Sequence, residues 1–114
     1  MMNKVVENGH VAVLVSPGWG AGWYTWNTKQ ELLFDPILVE LVQLKNKTQE
    51  GGFDYQDILN RIEKRAEEIE PGGYWGGIVD LLVEWVDEGV SFIVEEYDGN
   101  ESLRFSKETK WITA

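Results

Sequence analysis

Cysteine is absent from this 114-residue chain, and histidine occurs once, at position 10. The lack of thiols excludes disulfide scaffolds, thiol nucleophiles, Cys-ligated zinc and iron–sulfur clusters. A single histidine excludes sites built from several histidines and leaves little room for a histidine-based catalytic triad. We therefore expect a domain of reducing compartments, with no metal site, no cofactor and no catalytic residues.

Basic residues are scarce as well. Ten Lys and Arg stand against twenty Asp and Glu, which gives a formal net charge of −10. Such a chain lacks the basic stripe with which proteins bind nucleic acid or anionic membranes. No apolar run approaches the roughly 18 residues that cross a bilayer, and the first residues do not follow the pattern of a signal peptide. These absences predict a soluble protein whose partners include neither a nucleic-acid polymer nor a membrane.

Enough hydrophobic residues are present to bury a core, at 43% of the chain. The length is typical of one domain, and neither an internal repeat nor a low-complexity stretch divides it. We predict a single domain over residues 1–114.

Two amphipathic helices are predicted in the middle of the chain. Asp35 suits the N-cap of the first helix and Pro36 its first position, and apolar residues then follow at a spacing of three or four. Asp54 opens the second helix, with Asp57 three residues later in the capping-box position. Pro71 and the glycines after it end that helix.

Strands are predicted on both sides of the helices. The run Val11–Val15 is short, apolar and β-branched, as in a buried central strand, and Asn8-Gly9 predicts a hairpin before it. Residues 78–105 alternate in polarity around turns at Glu88-Gly89 and Asp98-Gly99, which favours a three-stranded meander. A helical period over Ile78–Val86 is the open alternative.

Two shorter segments are less patterned. Trp23–Trp26 is either part of a long loop or a short strand within it, and Trp111-Ile112 predicts a last short strand. Strands, then helices, then strands without a βαβ alternation predict an α+β domain. Its expected form is a small, mostly antiparallel sheet with the two helices packed on one face.

Tryptophan and glycine cluster in two segments. Ser16–Trp26, here called the Gly/Trp loop, holds three Trp, one Tyr and three Gly, and Pro71–Gly77, the second loop, repeats the theme. Glycine lets other groups approach the backbone, and aromatics beside it either pack inward or form walls for a flat ligand. The predicted ligand-binding residues are Trp19, Gly20, Gly22, Trp23, Tyr24, Trp26, Tyr74 and Trp75, with Arg61, Arg65 and Arg104 as phosphate contacts and Lys64, Lys107 and Lys110 as further cations.

The Gly/Trp loop has two interpretations that are compatible with each other. Its glycines offer backbone N–H groups as an anion nest while the aromatics stack on a base, or its tryptophans fill the core. The spacing matches neither the dinucleotide fingerprint nor the P-loop. We expect Trp19, with glycine on both sides, to form a wall and Trp23 to join the core.

Carboxylates crowd the predicted meander. A facing pair such as Glu84 and Glu95 would suit acid–base chemistry, but acidic runs more often form solvated faces and turns. A hydrolase would need a polar cluster that the sequence does not display. We predict that the protein is not an enzyme.

Four segments together carry a resemblance that spans most of the chain: Leu14–Trp23, Leu33–Pro36, Glu84–Gly89 and Glu95–Ser102. The first holds the run Ser-Pro-Gly-Trp-Gly-Ala-Gly-Trp and the last a Glu-Tyr-Asp-Gly turn. In these segments the chain resembles small uncharacterised proteins encoded by tailed bacteriophages. The resemblance implies a phage product in the host bacterial cytoplasm, where small proteins counter host defence.

The leading hypothesis is a non-enzymatic phage accessory protein that sequesters a host molecule. By analogy with anti-CBASS and anti-Thoeris sponge proteins, that molecule would be a cyclic or ADP-ribose-type nucleotide immune signal. The alternative is an acidic inhibitor that binds a host protein through its aromatics. Because sequestering proteins commonly build a composite pocket by symmetric association, we also expect a homo-oligomer.

Overall fold

A computed structural model describes residues 2–106 and 111–114 of the chain. Over these residues the backbone forms six strands and three α-helices, and the segments Tyr24–Trp26 and Ile78–Asp80 are single 3₁₀ turns. None of the helices in this part of the chain has the length and apolar character to cross a membrane. The elements are β1 (Val6–Glu7), β2 (His10–Val15), α1 (Glu31–Phe34), α2 (Pro36–Lys47), α3 (Phe53–Ile69), β3 (Leu82–Asp87), β4 (Ser91–Tyr97), β5 (Asn100–Ser106) and β6 (Ile112–Thr113).

The strands form two antiparallel sheets, where the sequence predicted one. Sheet A has the order β1-β2-β3 and sheet B the order β5-β4-β6. The α+β class is confirmed, as are the two hairpins with two-residue turns. Asn8-Gly9 and Asp98-Gly99 have positive φ at both positions, the type I′ conformation that such hairpins require.

The predicted meander is wrong in one connection, because β3 and β4 do not pair. At the turn between them, the Glu88 N–H donates to the Gly9 carbonyl and the Gly89 N–H donates to the Ala114 carbonyl. These bonds tie the turn to the β1–β2 hairpin and to the last residue. The chain therefore leaves sheet A here and begins sheet B, with Val86 and Phe92 buried in the same core.

Strand β2 is buried on both faces, as its continuous apolar run predicts. Ala12 and Leu14 face a core shared with α2 and α3, whereas alternate residues such as Val13 face a second core that contains Phe92 of sheet B. Sheet A thus lies between the helices α2 and α3 on one side and sheet B on the other. Both predicted helices pack on one face of it, α2 against the strands and α3 against α2.

The helix starts show one correct prediction and one wrong one. The Asp35 carboxylate accepts from the Leu38 N–H at 3.0 Å, so Asp35 caps α2, with Pro36 in the first turn. Helix α3 begins instead at Phe53, and its N-cap, Gly52, offers no side-chain bond. The capping box expected at Asp54 is therefore absent.

Asp57 pairs with Arg61 one turn later, at 2.9 Å. The short helix α1, which the sequence analysis had not identified, directly precedes the α2 cap. Residues 24–26 form a 3₁₀ turn rather than a strand, and the open alternative at 78–86 resolves into a 3₁₀ turn followed by β3.

A partly buried ion pair joins the two long helices. Arg65 of α3 donates to both carboxylate oxygens of Asp35, from Nη2 at 2.7 Å and from Nε at 3.0 Å. Burial raises the pKa of Asp35, but the bonds from Arg65 and from the Leu38 N–H outweigh burial and lower the pKa below its ordinary value. The same pairing raises the pKa of Arg65.

The lowered pKa of Asp35 predicts a stability that depends on pH. A carboxyl whose pKa is lower in the folded state stabilises the fold above its unfolded pKa, and that stability is lost as the pH falls below about 4. Asp35→Asn keeps an N-cap side chain but removes the charge. We expect its urea midpoint to vary less between pH 6 and pH 3 than that of the wild type. An unchanged pH dependence would contradict the assignment.

Candidate functional site

The Gly/Trp loop wraps around the tip of the β4–β5 hairpin. The Gly20 N–H donates to the Asp98 carbonyl at 2.6 Å. A Cβ on Gly99 would collide with the backbone of Ala21, so only glycine at this position allows the loop to approach the turn so closely. The loop and the hairpin tip, which we define as residues 96–100, therefore form one packed unit.

The buried carboxylate of Glu101, in β5, holds the loop through hydrogen bonds. Oε1 of Glu101 accepts from the Ser16 N–H at 2.9 Å. Oε2 accepts from the Trp23 N–H at 2.9 Å, the Thr25 N–H at 2.8 Å and the Thr25 hydroxyl at 2.7 Å. Both carboxylate oxygens therefore act as acceptors, and three of the four donors are backbone N–H groups. These donors belong to Ser16, Trp23 and Thr25, and not to the glycines that were expected to form an anion nest.

A second carboxylate lies beside the first. Glu96 is directly opposite Glu101 in the β4–β5 register. Its Oε2 accepts from the Gly99 N–H at 2.6 Å and from the Trp26 indole at 3.2 Å. Two neighbouring glutamates therefore hold the hairpin tip and the Gly/Trp loop together, both through hydrogen bonds to uncharged donors.

The second loop meets the first in the fold. The rings of Trp23 and Trp75 lie 5.5 Å apart between centroids, and those of Trp26 and Tyr74 4.9 Å apart. Asn27 joins the two backbones, because its side-chain amide donates to the Tyr74 carbonyl and accepts from the Tyr74 N–H. The aromatics of the two loops thus pack on one another in pairs.

Glycines make this contact close. A Cβ on Gly77 would lie 2.5 Å from the carbonyl oxygen of Gly22, and one on Gly18 would collide with the carboxylate of Asp80. The N–H of Gly20 is already bonded to Asp98. These glycines therefore serve the packing of neighbouring segments.

The tryptophans of the Gly/Trp loop differ in burial. Trp23 is 0% exposed, and its indole donates to the Leu32 carbonyl at 2.8 Å, so the expectation that it is a core residue is confirmed. Trp19 is 66% exposed, as expected of a wall, and it packs edge to face on Tyr97, with centroids 6.0 Å apart. Tyr24 is half-buried and contacts both cores.

The three arginines proposed as phosphate contacts are each paired with a carboxylate. Arg61 and Arg65 pair with carboxylates on or beside the helices, and Arg104 pairs with Glu95 at 3.4 Å. Lys64 lies on the exposed surface of α3. Lys107 and Lys110 fall outside the described residues. Among the residues described, cations stack on Phe34 and Trp111, not on an aromatic of either loop.

Carboxylates are the charged groups that do contact the loops. Glu67 accepts from the Trp75 indole at 3.2 Å. Glu70 accepts from the backbone N–H groups of Thr28 and Lys29, and these bonds lower its pKa although burial acts to raise it. The surroundings of the aromatics are therefore acidic.

The facing pair considered for acid–base chemistry does not form. Glu84 belongs to sheet A, where it is opposite Val13, and Glu95 belongs to sheet B, where it is opposite Ser102. Within residues 2–106 and 111–114, no group of three or more His, Asp or Glu side chains is placed to hold a metal ion.

Glu101 and Asn27 are the structural residues that the sequence analysis missed. Each acts across a long separation, 85 residues from Ser16 to Glu101 and 47 from Asn27 to Tyr74. In the sequence, Glu101 is not distinguishable from the other carboxylates of an acidic hairpin.

No protein-family model, curated protein or solved structure matches this chain.

Removing the Glu101 carboxylate is predicted to destabilise the fold. Glu101→Ala leaves four donors without their acceptor, and buried donors without partners cost about 1–3 kcal/mol each before the structure relaxes. We expect the free energy of unfolding to fall by about 3–5 kcal/mol, measured by urea denaturation. Glu101→Gln should lose less, because it keeps one acceptor oxygen. The exposed Glu63→Ala is the control, and a Glu101→Ala midpoint equal to that of Glu63→Ala would refute the assignment.

The two tryptophans are predicted to respond differently to truncation. Trp23→Ala should cost about 3–5 kcal/mol of stability, as buried aromatics do. Trp19→Ala removes one exposed edge-to-face contact and should cost at most about 1.5 kcal/mol. Denaturation midpoints of the two variants measure the difference. Equal losses would show that Trp19 is as much a structural residue as Trp23.

Proposed function

We propose that this protein is a binding module that captures a positively charged segment of another protein at the hairpin tip and the aromatics around it. The observation that carries the proposal is the combination of exposed aromatic pairs with carboxylates. Trp19 packs with Tyr97, and Trp26 packs with Tyr74, and all four rings are exposed. Aromatic side chains are enriched at the energetic centres of protein interfaces.

The charge of the tip selects the partner. Glu96 and Asp98 are exposed, and Glu96 is hydrogen-bonded to the Trp26 indole. The net charge of −10 extends this negative potential over the whole molecule, which attracts basic partners and accelerates their encounter at low salt. A basic segment is thus the complementary ligand.

The same observations make a nucleotide the weaker candidate. The Gly20 N–H, one of the glycine donors expected to bind a phosphate, already donates to the Asp98 carbonyl. The N–H groups of Trp23 and Thr25 in the same loop donate to Glu101. The expected phosphate contacts Arg65 and Arg104 are paired with carboxylates. An anionic ligand would approach an acidic surface without a basic pocket among these residues.

The resemblance to tailed-phage proteins suggests where such a partner would be found. A phage accessory protein of this kind would bind a protein of the bacterial host, and an acidic aromatic surface would suit a host protein that itself binds nucleic acid. The proposed mechanism is occlusion of the basic segment. It needs no cofactor and no chemical step.

The proposal predicts charge-dependent binding to a basic peptide. The probe is an eight-residue peptide of alternating Arg and Gly, titrated into the protein by calorimetry at 50 and 200 mM salt. We expect binding that weakens at the higher salt and weakens further in Asp98→Asn. Asparagine suits the left-handed conformation of residue 98 (φ 51°), so this variant removes charge without disturbing the turn.

The control is Glu63→Gln, which removes one negative charge on the exposed surface of α3. Equal weakening in both variants would mean that the peptide senses only net charge, which would refute a site at the tip. Cyclic dinucleotides and ADP-ribose are the competing ligands. A saturating nucleotide stabilises by about 2.7 kcal/mol at one hundred times its Kd, so a raised melting temperature without peptide binding would overturn the proposal.

A further inference from the structure

We propose that the corner between the rings of Trp19 and Tyr97 is a site for an arginine side chain, with Asp98 as the neighbouring carboxylate. This inference rests on the proposed function, since it names the group by which a basic partner would be held. Both side chains are exposed and belong to neither of the two cores, so the corner lies on the surface of the protein.

The geometry of the rings defines two walls. Their planes are at 89° and their centroids 6.0 Å apart, so one ring presents its edge to the face of the other. Trp19 remains 66% exposed and Tyr97 76% exposed, so this contact buries little of either ring. Most of the surface of both side chains, including the ring face that this contact does not cover, is left open to a cation.

The backbone beneath the corner is held in place. The Gly20 N–H donates to the Asp98 carbonyl, one residue along from each ring, and Gly99 lies against Ala21 with no room for a side chain. Glu101 fixes the other end of the loop. The two rings are thus carried by segments that are already ordered, which lowers the entropic cost of binding.

The charges around the corner favour a cation. Asp98 follows Tyr97 directly and is exposed, and strand alternation places Glu96 on the opposite face of the hairpin from Tyr97. In the described part of the chain the protein's own cations stack on other rings, Lys4 on Phe34 and Arg104 on Trp111. A cation from a partner would meet the open aromatic surface of the corner in the negative potential of the tip, where the Asp98 carboxylate is exposed one residue after Tyr97.

Arginine fits this corner better than lysine. Its guanidinium is planar, stacks on aromatic faces and pairs with a carboxylate through two parallel N–H bonds. The lysine ammonium is a compact, strongly hydrated charge. It cannot stack flat on a ring, and it does not form the two parallel N–H bonds to a carboxylate. The site should therefore discriminate between two cations of equal charge.

The experiment compares three eight-residue peptides that alternate Gly with arginine, lysine or citrulline. Citrulline is the uncharged isostere of arginine. Affinity is measured by calorimetry, and the indole N–H signals of the tryptophans are followed by NMR, with the signal of Trp19 assigned from Trp19→Ala. We expect the arginine peptide to bind about fivefold more tightly than the lysine peptide and to shift the Trp19 signal, while that of buried Trp23 stays in place.

Variants locate the interaction. Trp19→Ala and Tyr97→Ala should each weaken the arginine peptide by about three- to tenfold and abolish its preference over lysine. Phe53→Ala removes an aromatic that is also exposed, at the start of α3, and should leave both affinities unchanged.

The outcomes separate this inference from the proposed function. One outcome is that basic peptides bind and that Asp98→Asn lowers their affinity, while the arginine and lysine peptides bind equally and Trp19→Ala has no effect. In that case the hairpin tip binds basic peptides through charge alone, and the corner is not the site. If arginine and citrulline peptides bind alike, the site does not recognise a cation and the inference fails. If none of the peptides binds, the proposed function fails with it.

Discussion

The carboxylate of Glu101 is the interaction on which the arrangement of the surface depends. Its side chain and its own N–H both bond Ser16, where sheet A ends, while Glu101 itself belongs to sheet B. The same side chain accepts from Trp23 and Thr25 in the Gly/Trp loop. One residue thus fixes the relation of two sheets and a loop. The contact of Gly20 with Asp98 and that of Trp19 with Tyr97 then complete the attachment of the loop to the hairpin tip.

An acidic protein with many glycines and aromatics uses its carboxylates as internal acceptors. Glu101, Glu96, Glu70 and Glu67 each accept from a backbone N–H of a loop or from an indole, and Asp35 caps a helix. Among the described residues, the pairs of His10 with Asp87, Arg61 with Asp57 and Arg104 with Glu95 are exposed. Exposed pairs contribute little to stability, whereas buried charge-assisted bonds, such as those of Glu101 and Asp35, contribute more. Part of the negative charge therefore has a structural role.

The elements with strong local signals were predicted correctly from the sequence. Pattern alone identified β2, the two long helices and the type I′ turns, because Asn-Gly, Asp-Gly and Asp-Pro each impose a local backbone geometry. The division into two sheets was missed. It depends on bonds from the Glu88-Gly89 turn to Gly9 and Ala114, which are distant in sequence.

The candidate site was predicted in part for the same reason. Composition located both aromatic loops, and the glycines around Trp19 indicated its exposure correctly. The role of Glu101 was not predictable, because the residues next to it in the sequence do not show that this glutamate is buried while others in the same acidic hairpin are exposed. The backbone N–H groups that surround the Glu101 carboxylate belong to Ser16, Trp23 and Thr25, and not to the glycines that were expected to form an anion nest.

The separation in sequence between Glu101 and its partners also bears on how the fold forms. Ser16 and Glu101 are 85 residues apart, so the bonds between them close a large loop of chain. Contacts between residues so far apart form slowly, because closing the loop costs entropy before the contact stabilises the chain. The shape of the surface around Trp19 thus depends on a slow, non-local step of folding and not only on the local conformation of the Gly/Trp loop.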